Sequence, residues 1–568
     1  MRSLFENYTK NAKSHTFTAP FPFEDVPSGA NILRSVVNHR VKDLGNDTYD
    51  LYSRHCTNGS TMVKGLDYKE SYAAIAVIDS CRIVIAIASR YGLVIFIIDI
   101  KNAFQTTLLH PDERIYLHLP PYYLQWFRET YPNHVLPPAK TIYVLQSIHA
   151  VQGTKPAGKQ WSDQITSLFR AMGMKKNATD NAVWVSKRGK DTIILLSETD
   201  DFMLLVSRKQ LYLDIKARIE KSYVITMQEG PILQYLNLQI IQSDAGISID
   251  QTQHILKMLE PHYPKGSPFT KTDIPFRTDR AYEQELSDAV PASSSELQLL
   301  EKEYGASYAT LYGQLLHVAT VTRPQISYAL LRLGKFQSGP CKIGFDGLKR
   351  IFRYLATHPN VPIMYPKGPQ SHRNILTFIP HLKDKESISI PTTLSQLCDA
   401  NYATDLTDRK SISSCITLFN GSAISWKATK QLAIATSTTD AETRSLFTGL
   451  KKVLTFRNFL RHLGFPEQEP TVIFEDNQGT SDIVHAGRLT PRVKHIDIPL
   501  CFIHDHHKQG SFDVKRCHTT LMLADGLNKA LAGPVIKRHS DHYTGKRFYP
   551  KQNSPHHNAL LAYAPLSP

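Results

Sequence analysis

Two adjacent carboxylates, Asp200 and Asp201, sit between the apolar runs Thr192–Leu196 and Phe202–Val206. Both runs have the length and character of short buried strands, which predicts a β-hairpin with the acid pair at its tight turn. Like charges side by side at a buried turn are destabilising unless a cation offsets them. A third carboxylate, Asp99, ends the apolar strand Leu93–Ile98 well upstream. One acid closing a strand and a pair at a hairpin tip can gather two hard cations through oxygen ligands. Two such cations clamp the attacking and leaving oxygens in phosphoryl transfer. For an isolated pair the plain reading is a solvated turn, but the buried flanks and the Asp99 strand weigh against it.

The chain is 568 residues long, room for about three or four domains. Its 66 Lys and Arg exceed its 51 Asp and Glu, a formal +15 that suits a polyanionic partner. Its seven cysteines are scattered and odd in number. They form no disulfide framework, which predicts an intracellular protein, cytoplasmic or nuclear and not secreted. The N-terminus lacks an apolar signal region. The most apolar segment, Ile83–Ile98, is broken by Arg90 and Gly92, so no membrane span is expected.

Taken in order, residues 1–45 read as a flexible lead-in. A helix over Ser71–Ser89, strands at Ile115–Leu119 and Tyr143–Ile148, and an aromatic, Pro-bearing loop over residues 122–140 are expected next. In the run Gln152-Gly153-Thr154-Lys155-Pro156-Ala157-Gly158-Lys159-Gln160-Trp161, the glycines allow close backbone approach to a ligand. Lys155 and Lys159 can reach phosphate, though such loops are common. Residues 262–296 read as a linker or long loop, followed by helices about Ser307–Val321, Gln325–Gln337 and Gly344–His358. The polar stretch 366–393 predicts a join between two independently folded modules.

The second module offers four more acids: Asp399 and Asp476 ending strands, Glu442 and Asp525 at helix starts. Brought together, they would repel one another unless divalent cations lay between them. This segment reads as a mixed sheet with helices. A rival metal reading uses His495, His504, His506, His507, Cys517 and His518. That set lacks the paired spacing of zinc sites and reads instead as solvent-facing or structural histidines.

Together these motifs resemble the reverse transcriptase and ribonuclease H region of copia-type retrotransposon polyproteins, from about Arg54 to about Ala530. DIKNAF looks like the family's first palm motif, TDDF its aspartate pair, and GTKPAGKQW its GLKQ-P-W block. YATLYGQLLHVATVTRPQISYAL resembles the helical connector. CDANYATDLTDRKSISSCITLFNGSAISWKATKQ matches the start of the ribonuclease H domain, and STTDAET, FEDNQGT, VKHIDI and LADGLNKAL match later blocks in order.

The resemblance implies an α/β (α+β) fold with polymerase fingers and palm at 46–260 and a linker and helical thumb or connector at 261–365. A linker at 366–393, a ribonuclease H-like mixed-sheet domain at 394–532 and a basic tail at 533–568 complete it. It implies that Asp99, Asp200 and Asp201 hold Mg²⁺ or Mn²⁺ for DNA synthesis, and that Asp399, Glu442, Asp476 and Asp525 do so for cleavage of an RNA–DNA hybrid. Phe104 would pack under the sugar and exclude a 2′-OH. Arg54 would meet the triphosphate, and Gln152, Gly153 and Lys155 would line the nucleotide pocket. The implied partners are an RNA template, a DNA primer, RNA–DNA hybrid and deoxynucleoside triphosphates. Three positions depart from the pattern: Glu198 in place of an aromatic residue, Gly158 and Lys159 in the P-W block, and Asn58 in a segment that is usually basic. Glu198 is expected to load extra charge onto the palm acids. No capsid-like, protease or integrase segment is read. Two alternatives stay open: an inactive remnant that only binds nucleic acid, and a nuclease with a decayed palm.

Overall fold

The computed structural model describes residues 16–45, 48–110, 113–138, 140, 142–264, 267–369, 393–487 and 496–546; the side chains of residues 40, 42–45 and 48–54 lie outside that description. No helix among the described residues is long and apolar enough to cross a membrane.

The chain begins with β1 (Phe21–Pro22), β2 (Ile32–Leu33) and a hairpin of β3 (Ser35–Gly45) and β4 (Thr48–Thr57). Then come α1 (Ile78–Tyr91), β5 (Val94–Ile100), β6 (Ile115–His118), α2 (Tyr123–Thr130) and β7 (Tyr143–Ser147). A four-stranded sheet takes the order β1-β7-β6-β2. The lead-in expected over 1–45 is therefore strand-bearing where it is described. Phe17 and Leu33 join Ile115, Leu117 and Leu145 in one buried cluster, a pairing too distant in sequence for polar composition to reveal. The loop expected over 122–140 contains α2, whose Tyr123, Trp126 and Phe127 bury one face in the same cluster at helical spacing.

Next come α3 (Ala157–Ala171), β8 (Lys175–Lys176), β9 (Val183–Arg188), β10 (Asp191–Glu198), β11 (Asp201–Val206), α4 (Lys209–Glu220) and β12 (Ile225–Gln228). They build a six-stranded sheet ordered β12-β5-β11-β10-β9-β8. Alternation sorts its side chains: Phe96, Ile98, Phe202 and Leu204 pack under Trp161, Ile165 and Phe169 of α3 and Ile215 and Ile219 of α4. Ile95, Ile97, Met203 and Leu205 face the other way, into the core that holds α1.

A third sheet joins β13 (Ile232–Tyr235), β14 (Leu238–Ser243) and β15 (Gly246–Asp250) to the later strand β16 (Ile363–Pro366). Between them lie α5 (Thr252–Leu259), α6 (Arg280–Asp288), α7 (Ser294–Tyr304), α8 (Tyr308–Val321), α9 (Ser327–Leu333) and α10 (Lys342–Thr357), with their own apolar core. The linker expected over 262–296 thus carries α6, seated by Tyr282 and Leu286.

The C-terminal part contains β17 (Leu394–Asn401), β18 (Ile412–Phe419), β19 (Ser422–Lys430), α11 (Thr438–His462), β20 (Thr471–Glu475), α12 (Gln478–Ala486), α13 (Asp497–Lys508), β21 (Phe512–Arg516), α14 (Asp525–Asn528) and α15 (Gly533–Tyr543). Its five-stranded sheet has the order β19-β18-β17-β20-β21. The outer three strands on one side are antiparallel, while β20 runs parallel to β17 and to β21. This is the mixed sheet expected of a ribonuclease H-like domain. The tail expected from residue 533 is helical at first, and Tyr543 is buried with its hydroxyl donating to the Leu523 carbonyl at 2.6 Å.

Most of the stretch expected as a linker, at 370–392, lies outside the described residues. On either side of it, however, the two parts share one core. Ile83–Ala88 of α1 belong to the same buried cluster as Phe419, Ile424, Leu446 and Leu450. Arg82 is buried at the junction: Nε donates to Ile424 O at 2.7 Å and Nη1 to Thr320 O at 2.6 Å and Val321 O at 2.9 Å. Its guanidinium pairs with Asp79 and lies 4.0 Å from the centre of the Trp426 ring. Asp79 also pairs with Lys452 and accepts from Ser425 Oγ at 2.8 Å. The two modules expected on either side of the join therefore bury apolar side chains against each other. Polar composition of a connecting stretch does not report what the flanking elements bury against each other.

Candidate active sites

At the first acid cluster, β-ladder register does the assembly. Glu198 lies opposite Asp201, and Asp201 opposite Asp99. Directly opposed residues share a face, so three carboxylates form one row across β10, β11 and β5. Asp200 stands exposed at the turn, and its carbonyl accepts from Ile100 N at 2.9 Å. The turn is tight, with Thr199 at φ 50°. Trp161 of α3 donates its indole N–H to the Thr199 carbonyl, tying the hairpin tip to the helix below. Burial, then Asp200 and Asp99, push the Asp201 carboxyl up to about 6.

Glu198 is held differently. Its Oε2 accepts the Ala76 backbone N–H at 3.0 Å. Burial raises its carboxyl, with Asp180 and Asp201 adding to the rise against the opposing Ala76 hydrogen bond. Asp180 itself takes the next backbone N–H, from Val77, at 3.1 Å.

Of the expected nucleotide-binding residues, Phe104 is half-buried and packs against the helix-side core of the six-stranded sheet. Gln152 accepts through its backbone from Thr57 N at 2.8 Å. Gly153 has φ 94°, and a Cβ there would stand 2.1 Å from the Thr57 carbonyl, so only glycine fits. Lys155 Nζ donates to the Met62 carbonyl at 2.8 Å. Arg54 occupies β4 opposite Asn38, and its side chain lies outside the described residues. Asn58 caps a short turn, accepting from Ser60 N at 3.1 Å. Lys159 pairs with Asp163 and, at 3.5 Å, with Glu70.

The second cluster is built on parallel strands. Leu397 pairs with Phe474, so Asp399 and Asp476, each two residues further on, reach the same level and face. Helix α11 passes over them so closely that a Cβ on Gly449 would stand 2.2 Å from Cys398 Sγ. Ser445 on the same helix donates to the Asp399 carbonyl at 2.8 Å, which sets Glu442, one turn earlier, above the strand end. Ligand oxygens of Asp399, Glu442 and Asp476 all lie within 4.8 Å of one another.

Asp525 joins through Lys529, whose Nζ is 2.5 Å from Asp525 Oδ1 and 3.0 Å from Asp399 Oδ2. Asn528 Nδ2 donates to the same Asp399 oxygen at 2.7 Å. Burial, then Asp399, push the Asp525 carboxyl up to about 8, with Lys529 opposing. Burial, Glu475, Asp399 and Asp476 drive Glu442 well above the usual carboxylate range. Burial followed by Asp399 raises Asp476.

Three residues here escaped the sequence reading. Glu475 is fully buried beside Asp476, and its Oε2, like Glu442 Oε2, has no hydrogen-bond partner among the described residues. Lys529 and Asn528 lie inside LADGLNKAL, where the acid drew attention away from its neighbours. Of the histidine set, His495 lies outside the described residues, while His504 contacts Ile483 O and His518 contacts Thr520.

Residues 23–266 match the family described as "Reverse transcriptase (RNA-dependent DNA polymerase)". The chain is 27% identical over 480 residues to the "Retrovirus-related Pol polyprotein from transposon RE1" of Arabidopsis thaliana, covering 84% of this chain and 29% of that one. It is 25% identical over 539 residues to the corresponding polyprotein from transposon TNT 1-94 of Nicotiana tabacum, covering 94% and 36%. The chain therefore spans only about a third of the length of these curated relatives. A solved foamy viral protease-reverse transcriptase in complex with RNA/DNA hybrid aligns with a TM-score of 0.39 at 10% identity, covering 85% of this chain and 50% of that one. Along most of its length the chain is thus similar to retrotransposon Pol polyproteins, and its residues 23–266 match the reverse transcriptase family.

Proposed function

We propose that the chain is an RNA-directed DNA polymerase with a ribonuclease H centre. The observation that carries this reading is the register that sets Asp201 opposite Asp99, with Asp200 at the adjoining turn, inside the stretch that matches the reverse transcriptase family. The donor sets suit Mg²⁺ or Mn²⁺: they are hard carboxylate oxygens, and Glu442 Oε2 is buried without a partner among the described residues. Asp99, Asp200 and Asp201 would hold the metal in the palm, and Asp399, Glu442, Asp476 and Asp525 in the second centre. When bound, a divalent pair supplies charge neutralisation at the reacting phosphate and a lowered pKa at the attacking oxygen.

The chain's own residues would do the positioning. Trp161 fixes the hairpin tip, and the Gly153 turn brings backbone against β4 beside the expected triphosphate path. Phe104 would pack under the sugar. RNA template, DNA primer, RNA–DNA hybrid and deoxynucleoside triphosphates are the proposed partners, with binding strength drawn from basic contacts to phosphate. The test is primer extension on an RNA template with Mg²⁺, beside cleavage of a labelled hybrid. Extension and cleavage are expected. Hybrid binding without either would overturn the reading in favour of a nucleic-acid-binding remnant, and cleavage alone would leave a nuclease.

A further inference from the structure

Helices α12 and α13 end close together on the edge strand of the five-stranded sheet. His485 lies in the last turn of α12, His507 in the last turn of α13, and Asp513 is the second residue of β21. His485 Nε2 and His507 Nε2 each stand 3.5 Å from Asp513 Oδ1. Ligand atoms of all three residues lie within 4.8 Å of one another. The separations are too long for N–H···O hydrogen bonds. They match the edge of a tetrahedron around zinc, about 3.4 Å for bonds of ordinary zinc–nitrogen and zinc–oxygen length.

The rings are also oriented for metal. His485 Nδ1 lies 2.8 Å from the Ser481 carbonyl, a contact only a protonated nitrogen can make, so in the neutral ring Nε2 carries the lone pair and faces Asp513. A histidine donating its other nitrogen to a backbone carbonyl is the usual support of a metal ligand. The His507 ring packs edge-on against Phe512 and lies 5.3 Å, centre to centre, from the His485 ring.

We propose that His485, His507 and Asp513 form a zinc site, distinct from both carboxylate clusters. Two imidazoles and one carboxylate suit Zn²⁺ far better than Mg²⁺, and three protein ligands leave a fourth position for water. The ligands come from two helices and an edge strand, so the ion would clamp α12 and α13 to β21. The clamp bears on chemistry because α12, nine residues long, starts directly after Asp476 and Asn477.

The test uses the full chain, loaded with zinc, dialysed against excess Mg²⁺ and assayed for retained zinc. The chain has 24 histidines, so stoichiometry and competition with a chelator matter more than binding itself. Wild type is expected to keep one zinc per chain, and a His485→Ala/His507→Ala double variant none, while Asp399→Asn keeps its zinc. X-ray absorption at the zinc edge of wild type should show two imidazole ligands, a readout independent of how the variants fold. Equal zinc in wild type and the double variant, loss of zinc on Asp399→Asn, or an edge spectrum without imidazole overturns the site.

Discussion

Lys529 places its ammonium 2.5 Å from Asp525, and the same nitrogen reaches Asp399 at 3.0 Å. In effect a side chain holds the position between two acids that a divalent cation would compete for. Burial works against a charged Lys529, yet Asp399 and Asp525 outweigh it and raise its pKa. Lys529→Met should therefore destabilise the metal-free protein by about 1–3 kcal/mol, because it strips the counter-charge from two buried acids. Added Mg²⁺ or Mn²⁺ should recover much of the loss. Thermal melts with and without divalent ions check this, and a variant equally stable in both conditions would count against it.

Asp200→Asn should abolish Mg²⁺-dependent DNA synthesis while hybrid affinity stays within about threefold, since affinity rests on basic contacts to phosphate. Primer extension and a filter-binding titration on the same preparation separate the two. Synthesis at the wild-type rate would remove Asp200 from the centre.

The raised Asp201 carboxyl has a signed consequence. A carboxyl at about 6 in the folded state holds its proton more tightly there than in the unfolded chain, whose value is about 4. Its contribution to stability is complete below the unfolded value and is lost as pH rises through about 6. In EDTA, wild type should lose more stability across that window than Asp201→Asn. Urea melts at several pH values measure the difference, and parallel curves would refute it.

Glu198 was expected to burden the palm acids with further charge. Asp201 does repel it, but the Ala76 N–H engages its Oε2, and Gln can accept the same bond. Glu198→Gln should therefore leave the Mg²⁺ concentration for half-maximal synthesis within about twofold. A larger shift would show that Glu198 reaches the metal.

What the sequence revealed and what it hid follow the range of the interactions. Apolar alternation around Asp99 and Asp201 showed both strands, because a two-residue period is local. Their pairing opposite each other was not local: the residues suggested that the acids gather, and the register that does it is visible only in the folded sheet. Glu442 was expected at a helix start and lies early in the helix Thr438–His462. Phe17 and Leu33 stayed hidden because their partners follow β5 in the chain. The zinc candidate escaped for the same reason: His485 and Asp513 flank the histidine run, and a spacing rule cannot join residues that meet only in space.

Arg82→Ala should destabilise the chain by about 3–5 kcal/mol, since it removes the guanidinium from Asp79, which keeps only Lys452 and Ser425, and from the carbonyls of Ile424, Thr320 and Val321. A fragment starting near Ser387 would expose Ile424 and other members of the shared core. It should be aggregated or partly unfolded on its own, which size-exclusion chromatography and circular dichroism would reveal. A monomeric fragment with a cooperative melt would show the interface to be dispensable.

The same seam sets a gauge. Because α1 and the β18–β19 hairpin are packed into one body, the interval between the two acid centres is built in, as on a pair of locked calipers. On the proposed function, a hybrid threaded through both would be cut at a constant number of base pairs behind the growing primer end. Loosening Arg82 would blur that interval before it slowed either reaction.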